Sequence, residues 1–192
     1  MLDRREFVRQ LLVDRGDLAV VSGLGSATYD VAAAGDHPLN FYLWGAMGGT
    51  AMVGLGLALA RPDRRVAVLT GDGDMLMGLG SLATVGVKQP GNLAIVVLDN
   101  AHYGETGMQP SATQSGIDLV AMALACRFKQ ARAISELGQA REVRELLHTG
   151  DGPILVEARI GSEDVPRVLP LRDGHAIKQR FMAALAPSGA AG

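Results

Sequence analysis

The sequence predicts an α/β domain: one doubly wound parallel sheet of about six strands, with helices on both faces. Three observations predict it. Short apolar runs at residues 18–21, 41–44, 66–69, 93–98 and 154–158, with a further strand at 129–134, alternate with segments of helical periodicity. The runs at 66–69 (VAVL) and 93–98 (LAIVVL) are apolar throughout, the mark of strands buried on both faces. The 192 residues are 48% hydrophobic, with a mean hydropathy of +0.18, which is enough for one full core. No repeat and no interdomain linker breaks the pattern, so residues 1–192 read as a single domain.

The elements follow in order. Residues 3–12 put Phe7, Val8, Leu11 and Leu12 on one face of a helix. The strand at 18–21 runs into the small-residue turn Ser22-Gly23-Leu24-Gly25-Ser26, and residues 27–34 read as helix. Gly35-Asp36-His37-Pro38 is a loop, with His37 a solvated histidine lacking an obvious partner. A strand at 41–44 joins a helix at 50–60 through Trp44-Gly45-Ala46-Met47-Gly48-Gly49. Residues 41–60 carry no charge, so length alone permits a membrane span. Five glycines crowd that stretch, and Arg61-Pro62-Asp63-Arg64-Arg65 and another strand follow at once, which favours a buried strand and a buried helix. Strand 66–69 ends in Gly71-Asp72-Gly73, a glycine-rich helical stretch follows, and strand 93–98 ends in Asp99-Asn100.

Residues 109–115 read as a polar loop, and 117–124 as a helix with Leu119, Val120, Ala123 and Leu124 in the core. After the strand at 129–134, Ser135 is the expected N-cap of a helix running to His148. Asp151-Gly152-Pro153 turns into the strand at 154–158. Residues 177–185 form an amphipathic helix, and 187–192 are expected to fray.

Composition removes several function classes. The formal net charge is −2, and no Lys/Arg cluster is long enough for a nucleic-acid surface. Cys126 is the single cysteine, so an internal disulfide and an all-cysteine metal cluster are excluded. Residues 1–6 are charged and lack the apolar centre of a secretory signal, so a cytoplasmic location is expected.

The chemistry lies where two strands end. Parallel neighbours would bring the Asp72 carboxylate and the Asn100 amide oxygen into one crevice. Hard oxygen donors of this kind suit Mg²⁺, which commonly takes its other ligands from phosphate and water. The helix after Gly73 would point its free N–H groups into the same crevice. The residues therefore describe a Mg²⁺–diphosphate site.

Gly71-Asp72-Gly73, followed at this spacing by an apolar strand ending in Asn100, resembles the diphosphate-binding motif of thiamine diphosphate enzymes. The longer run SLAT…LDNAHYGETGMQP is similar to the beta subunits of sulfopyruvate decarboxylases and the matching half of phosphonopyruvate decarboxylases. The resemblance implies thiamine diphosphate and Mg²⁺ as cofactors. It gives the Asp72 side chain, the Asn100 amide oxygen and the His102 backbone carbonyl as metal ligands. Gly71, Gly73 and Asp74 would meet the diphosphate through backbone groups, with Tyr103 and Gly104 closing the loop. Asp74 departs from the Ser or Ala common at that position. It reads as an N-cap bonding its helix's own N–H groups, or as a side chain turned away from the phosphates. Gly25 and Ser26 lie where the family's first turn nears the cofactor, although a plain strand-to-helix turn explains them equally. By the same resemblance, the Gly45 carbonyl accepts from the cofactor's 4′-amino group and Met47 supports its bent form; a core methionine is the other reading. Glu105 is either a proton donor in a desolvated cleft or a solvated loop residue, and Asp99 holds a backbone N–H at its strand end.

The resemblance covers nearly the whole chain but only half of an enzyme. The second, PYR-type domain, which supplies a Glu to N1′ of the aminopyrimidine, is expected on a separate alpha subunit in an α₂β₂ or higher assembly. The apolar stretch 45–56 is then expected in part at the interface. The implied reaction is decarboxylation of a small anionic 2-oxo acid such as sulfopyruvate or phosphonopyruvate. A carboligase of the acetolactate synthase kind and a ferredoxin-coupled oxidoreductase subunit are the neighbouring alternatives, the latter disfavoured by the lone Cys126. A non-catalytic thiamine diphosphate- or nucleotide-binding module is the third. GLGSAT lacks the last glycine of a dinucleotide fingerprint.

Overall fold

The computed structural model describes residues 1–163 and 165–186. Helix α1 (Arg4–Leu12) starts at Asp3, whose side chain accepts the Glu6 N–H at 2.9 Å, and it buries Phe7, Val8, Leu11 and Leu12. Strand β1 (Ala19–Ser22), helix α2 (Ser26–Ala33) and strand β2 (Asn40–Tyr42) follow. Helix α3 (Thr50–Ala60) leads to β3 (Val66–Gly71), then come the short α4 (Asp72–Met77), α5 (Ser81–Lys88) and β4 (Leu93–Asp99). A two-stranded antiparallel pair, β5 (His102–Tyr103) and β6 (Gln109–Pro110), is followed by α6 (Leu119–Ala125) and β7 (Gln130–Ile134). The chain then runs through α7 (Ala140–Thr149), β8 (Ile154–Arg159) and α8 (Gly174–Leu185).

Six strands form one sheet in the order β2-β1-β3-β4-β8-β7, all parallel. The predicted fold class and strand number hold. Side chains alternate between two cores, as a period of two requires. Val20, Ala67, Leu69, Val96, Leu98 and Val156 face the layer that holds α1, α2 and α7. Val21, Val68, Ile95, Val97 and Leu155 face α3, α5 and α6. The chain leaves β1 toward β2 on one side and returns to β3 on the other, so the ends of β1 and β3 flank the point where winding reverses. In open α/β sheets a ligand crevice opens there.

Several local expectations change. Ser135 is not a cap: Glu136 and Gln139 form a reciprocal capping box on a 3-10 turn at Leu137–Gln139, and α7 starts after it. Leu124 is 50% exposed and Val120 half-buried, because the core face of α6 is carried by Leu119 and Ala123. His37 is half-buried, not free: its Nδ1 accepts the Leu39 N–H at 3.1 Å, and its backbone N–H donates to Asp36. The loop at 109–115 contains β6 and a 3-10 turn at Ala112–Ser115. No helix among the described residues is long and apolar enough to cross a membrane; 41–60 is instead β2, a turn and α3. Residues 187–192, expected to fray, lie outside the described residues.

Candidate active site

The C-terminal ends of β1, β3 and β4 open into a cleft that is partly open to solvent. Of the expected residues, Ser26, Met47, Gly71, Asp72, Gly73, Asp74, Asn100, His102, Tyr103, Gly104 and Glu105 all line it. Gly25 and Gly45 do not. Gly25, at φ +79°, packs against the Glu105 side chain, 2.9 Å from where a Cβ would stand. Gly45 sits in the turn outside the cleft wall, with nothing within 4 Å of a Cβ.

Asp72 begins α4 directly after β3 and is 2% exposed. Burial pushes its carboxyl up to about 6; the neighbouring Asp99 adds to this, and the Ser111 hydroxyl opposes it. Asp72 has no ion-pair partner among the described residues. Asp99 ends β4 and accepts the Ala101 N–H and the Thr113 hydroxyl, both at 2.8 Å, as expected of a strand-end acceptor. On the next strand Glu157 is also buried, pushed up to about 7 by burial and by Asp99, with Arg159 opposing. Asp72 and Glu157 thus each act on Asp99 from neighbouring strands; Glu157 faces Arg159 at 3.4 Å, whereas Asp72 is buried without a cation and is costly to ionise.

The Asn100 amide oxygen accepts the His102 N–H at 3.0 Å, and the His102 ring bonds the Asn100 carbonyl at 2.8 Å. The two residues therefore share one tight turn, with Ala101 between them at φ +61°. A non-glycine residue in that region is strained, and such strain gathers at functional sites. The Tyr103 ring lies on Gly73: a Cβ there would come 2.5 Å from a ring carbon, so only glycine lets the loop close on the turn.

Asp74 is not an N-cap. The cap position of α4 is Gly71, with no side-chain bond, and Asp74 lies within the helix. Its carboxylate accepts from the Gly48 N–H and from the hydroxyls of Thr50 and Thr70. The side chain has turned back into the fold, where it ties the Met47-bearing turn to β3. Met47 is half-buried and belongs to neither core, so the plain core reading does not apply to it. Its turn is bent sharply at Ala46 (φ +59°) and Gly48 (φ +88°). Glu105 is exposed at the cleft mouth, 3.6 Å from Arg167, and in this chain alone it is not desolvated.

Sequence reasoning missed Arg4, Ser111 and Thr113. Arg4 lines the cleft from α1. A base at the first position of a helix runs against the helix dipole, and that was the available signal. Ser111 and Thr113 sit in what reads as an ordinary polar loop, and only folding brings their hydroxyls to Asp72 and Asp99.

A family model described as the thiamine pyrophosphate enzyme C-terminal TPP binding domain matches residues 23–158. The chain is 38% identical over 184 residues to sulfopyruvate decarboxylase subunit beta of Methanothermobacter thermautotrophicus, covering 95% of each. It is 42% identical over 172 residues to phosphonopyruvate decarboxylase of Streptomyces viridochromogenes, covering 87% of this chain but only 42% of that protein. Among solved structures it is similar in fold to a thiamine diphosphate-dependent 4-hydroxybenzoylformate decarboxylase from Rhodococcus jostii. The TM-score there is 0.69 at 21% identity, over 84% of this chain and 33% of that one.

Proposed function

We propose a function from one premise: this chain belongs to the thiamine pyrophosphate enzymes, whose C-terminal TPP binding domain it carries. The reading is a diphosphate- and Mg²⁺-binding subunit of a heteromeric, cytoplasmic 2-oxo acid decarboxylase. Its substrate class is a small acid with an anionic tail, such as sulfopyruvate or phosphonopyruvate. The observation that carries the reading is the convergence of Asp72, Asn100 and His102 on one cleft that also holds Met47. The donor set fits a hard divalent cation, since a buried carboxylate without a counter-charge stands beside an amide oxygen.

When bound, thiamine diphosphate supplies the electron sink that lets CO₂ leave. This chain's residues would hold and orient it. Asp72, the Asn100 amide and the His102 carbonyl would carry the metal. Backbone groups of Gly71, Gly73 and Asp74, with Ser26, would meet the diphosphate, and Tyr103 and Gly104 would cover it. Met47 would support the bent form, and the Gly45 carbonyl, although its residue lies in the turn just outside the cleft wall, would accept a hydrogen bond from the cofactor's 4′-amino group. Glu105 would hold a proton on a carboxyl oxygen at the mouth, once a covering partner removes water from it.

The partner would bring the PYR-type domain and the Glu for N1′. Two observations support a partner. The matched phosphonopyruvate decarboxylase is more than twice as long as the matched segment, while the sulfopyruvate relative of the same length is named a beta subunit. Helix α3 also turns Met52, Val53 and Leu59 outward, and Met77 beyond it is 60% exposed. An α₂β₂ assembly is the simplest closed form.

The test mixes this chain with its partner, Mg²⁺ and thiamine diphosphate, and follows CO₂ and aldehyde from a panel of 2-oxo acids. Turnover with the partner and none without it is expected. Full turnover by this chain alone would overturn the half-site reading, and a ligated product in place of the aldehyde would assign a carboligase.

A further inference from the structure

Arg4 is the feature of the cleft that the proposed roles leave unused. Its side chain is 10% exposed, yet it borders the same space as Ser26, Gly73 and Asn100. Its Nε is buried without a hydrogen-bond partner. Asp30 Oδ2 lies 3.3 Å away but out of alignment, and that oxygen is unpartnered too. Asp30 is fully buried and also faces Arg5, whose Nε is 3.3 Å from Oδ1. Two guanidiniums therefore share one carboxylate, and Asp3 nearby is engaged in capping α1. Burying an arginine this deeply with its Nε unpartnered is unfavourable unless an anion completes the guanidinium.

The position says which anion. Arg4 enters beside Ala27 at the start of α2 and Ile160 past the end of β8, below the glycine turn that follows β3. The Leu2–Ile160 bridge holds this segment of chain in place. Arg4 thus borders the cleft together with Ser26, Gly73 and Asn100, residues given above to the diphosphate and the metal, whereas Glu105 is exposed. Arg4 is the sole Lys or Arg among the described residues lining the cleft. A diphosphate facing one divalent cation that Asp72 already offsets still carries excess negative charge. A planar guanidinium is well suited to take it up.

We propose that Arg4 binds the terminal phosphate of the diphosphate, and so makes this subunit select thiamine diphosphate over thiamine monophosphate. The inference rests on the cofactor site proposed above. The anionic tail of a substrate offers similar oxygens, and the experiment separates it from the cofactor's phosphate.

The experiment uses the chain assembled with its partner. Calorimetry in Mg²⁺ compares thiamine diphosphate, thiamine monophosphate and thiamine on wild type, Arg4→Gln and Arg4→Lys. Arg4→Gln should weaken the diphosphate roughly ten- to a hundredfold, the usual worth of a charge-assisted hydrogen bond, and leave thiamine nearly unchanged. Arg4→Lys should recover part of the loss. Because Arg4→Gln leaves buried Asp30 short of a counter-charge, Arg4→Gln/Asp30→Asn provides a second variant that removes both charges, with the same loss expected. Wild type that fails to bind thiamine diphosphate would sink the cofactor site and Arg4 with it. Wild-type binding with unaltered affinity in the variants would sink Arg4 alone. Unaltered cofactor affinity with a raised KM for the 2-oxo acid would likewise overturn the proposal and reassign Arg4 to the substrate.

Discussion

At the scale of single residues, the roles proposed for Asp72 and Met47 would separate attachment from orientation. Asp72→Ala should abolish Mg²⁺-dependent cofactor binding in calorimetry while the circular dichroism spectrum stays native. Its pH behaviour follows from the sign of the shift. A carboxyl raised to about 6 is protonated in the fold where an unfolded aspartate is already ionised. Ionisation therefore costs stability as pH rises from the ordinary carboxylate range through 6, and a bound cation removes that cost. Mg²⁺ with thiamine diphosphate should raise the melting temperature more at pH 7.5 than at pH 5.0; an equal rise at both would argue against Asp72 as a ligand. Met47→Ala should lower kcat by about tenfold while cofactor affinity changes little, since support is lost but the anchor is kept. Equal losses in both would remove the supporting role. That Asp72 and Asn100 meet at one cleft was legible, because their spacing brings them to the ends of two neighbouring strands, whereas His102 came from the resemblance alone. The Asp74 contacts were not. Its acceptors serve Gly48, Thr50 and Thr70, from elements that nothing local in the sequence brings together. Relatives with Ser in place of Asp74 should therefore also have changed the hydroxyls matching Thr50 and Thr70.

Among the elements, the glycines show where helices meet without room to spare. A Cβ on Gly86 in α5 would fall 1.6 Å from the Cys126 carbonyl oxygen at the end of α6. Backbone cannot yield as a side-chain tip can, so Gly86→Ala should cost at least about 1–3 kcal/mol. In thermal denaturation that is a fall of several degrees, at about 2–4 °C per kcal/mol for a domain of this size. Gly56 in α3 is exposed with nothing within 4 Å, and Gly56→Ala should instead raise stability by about 0.5–1 kcal/mol through helix propensity. A melting temperature unchanged in both variants would contradict this packing. Strands β3 and β4 were legible because both faces are buried and their runs are wholly apolar. β5 and β6 were not, being two residues each and held by the loop that closes Ser111 N–H onto the Ala101 carbonyl at 2.8 Å.

For the molecule as a whole, fold class, strand number and the crevice position could be read in advance, because alternating apolar runs and one winding reversal suffice to set them. Burial of the first helix's arginine against the cleft could not, since it depends on α1 folding back onto α2. The C-terminal helix offers a further pH test. Asp36 is pushed up by burial, but Arg180 and the Tyr42 hydroxyl more than offset that and hold its carboxyl below the ordinary value. The stability it contributes is present above the ordinary carboxylate range and lost as pH falls through its lowered value. Arg180→Gln should flatten that acid-side loss in a pH series of melting temperatures, whereas an unaltered slope would dismiss the pair as the cause. The outward Met52, Val53 and Leu59 of α3 bear, finally, on how a cell must make this protein. If the proposed partner covers them, a copy made without it would show an oily stripe to chaperones and proteases. Surplus copies should be short-lived, and paired synthesis of the two chains should govern how much of either accumulates.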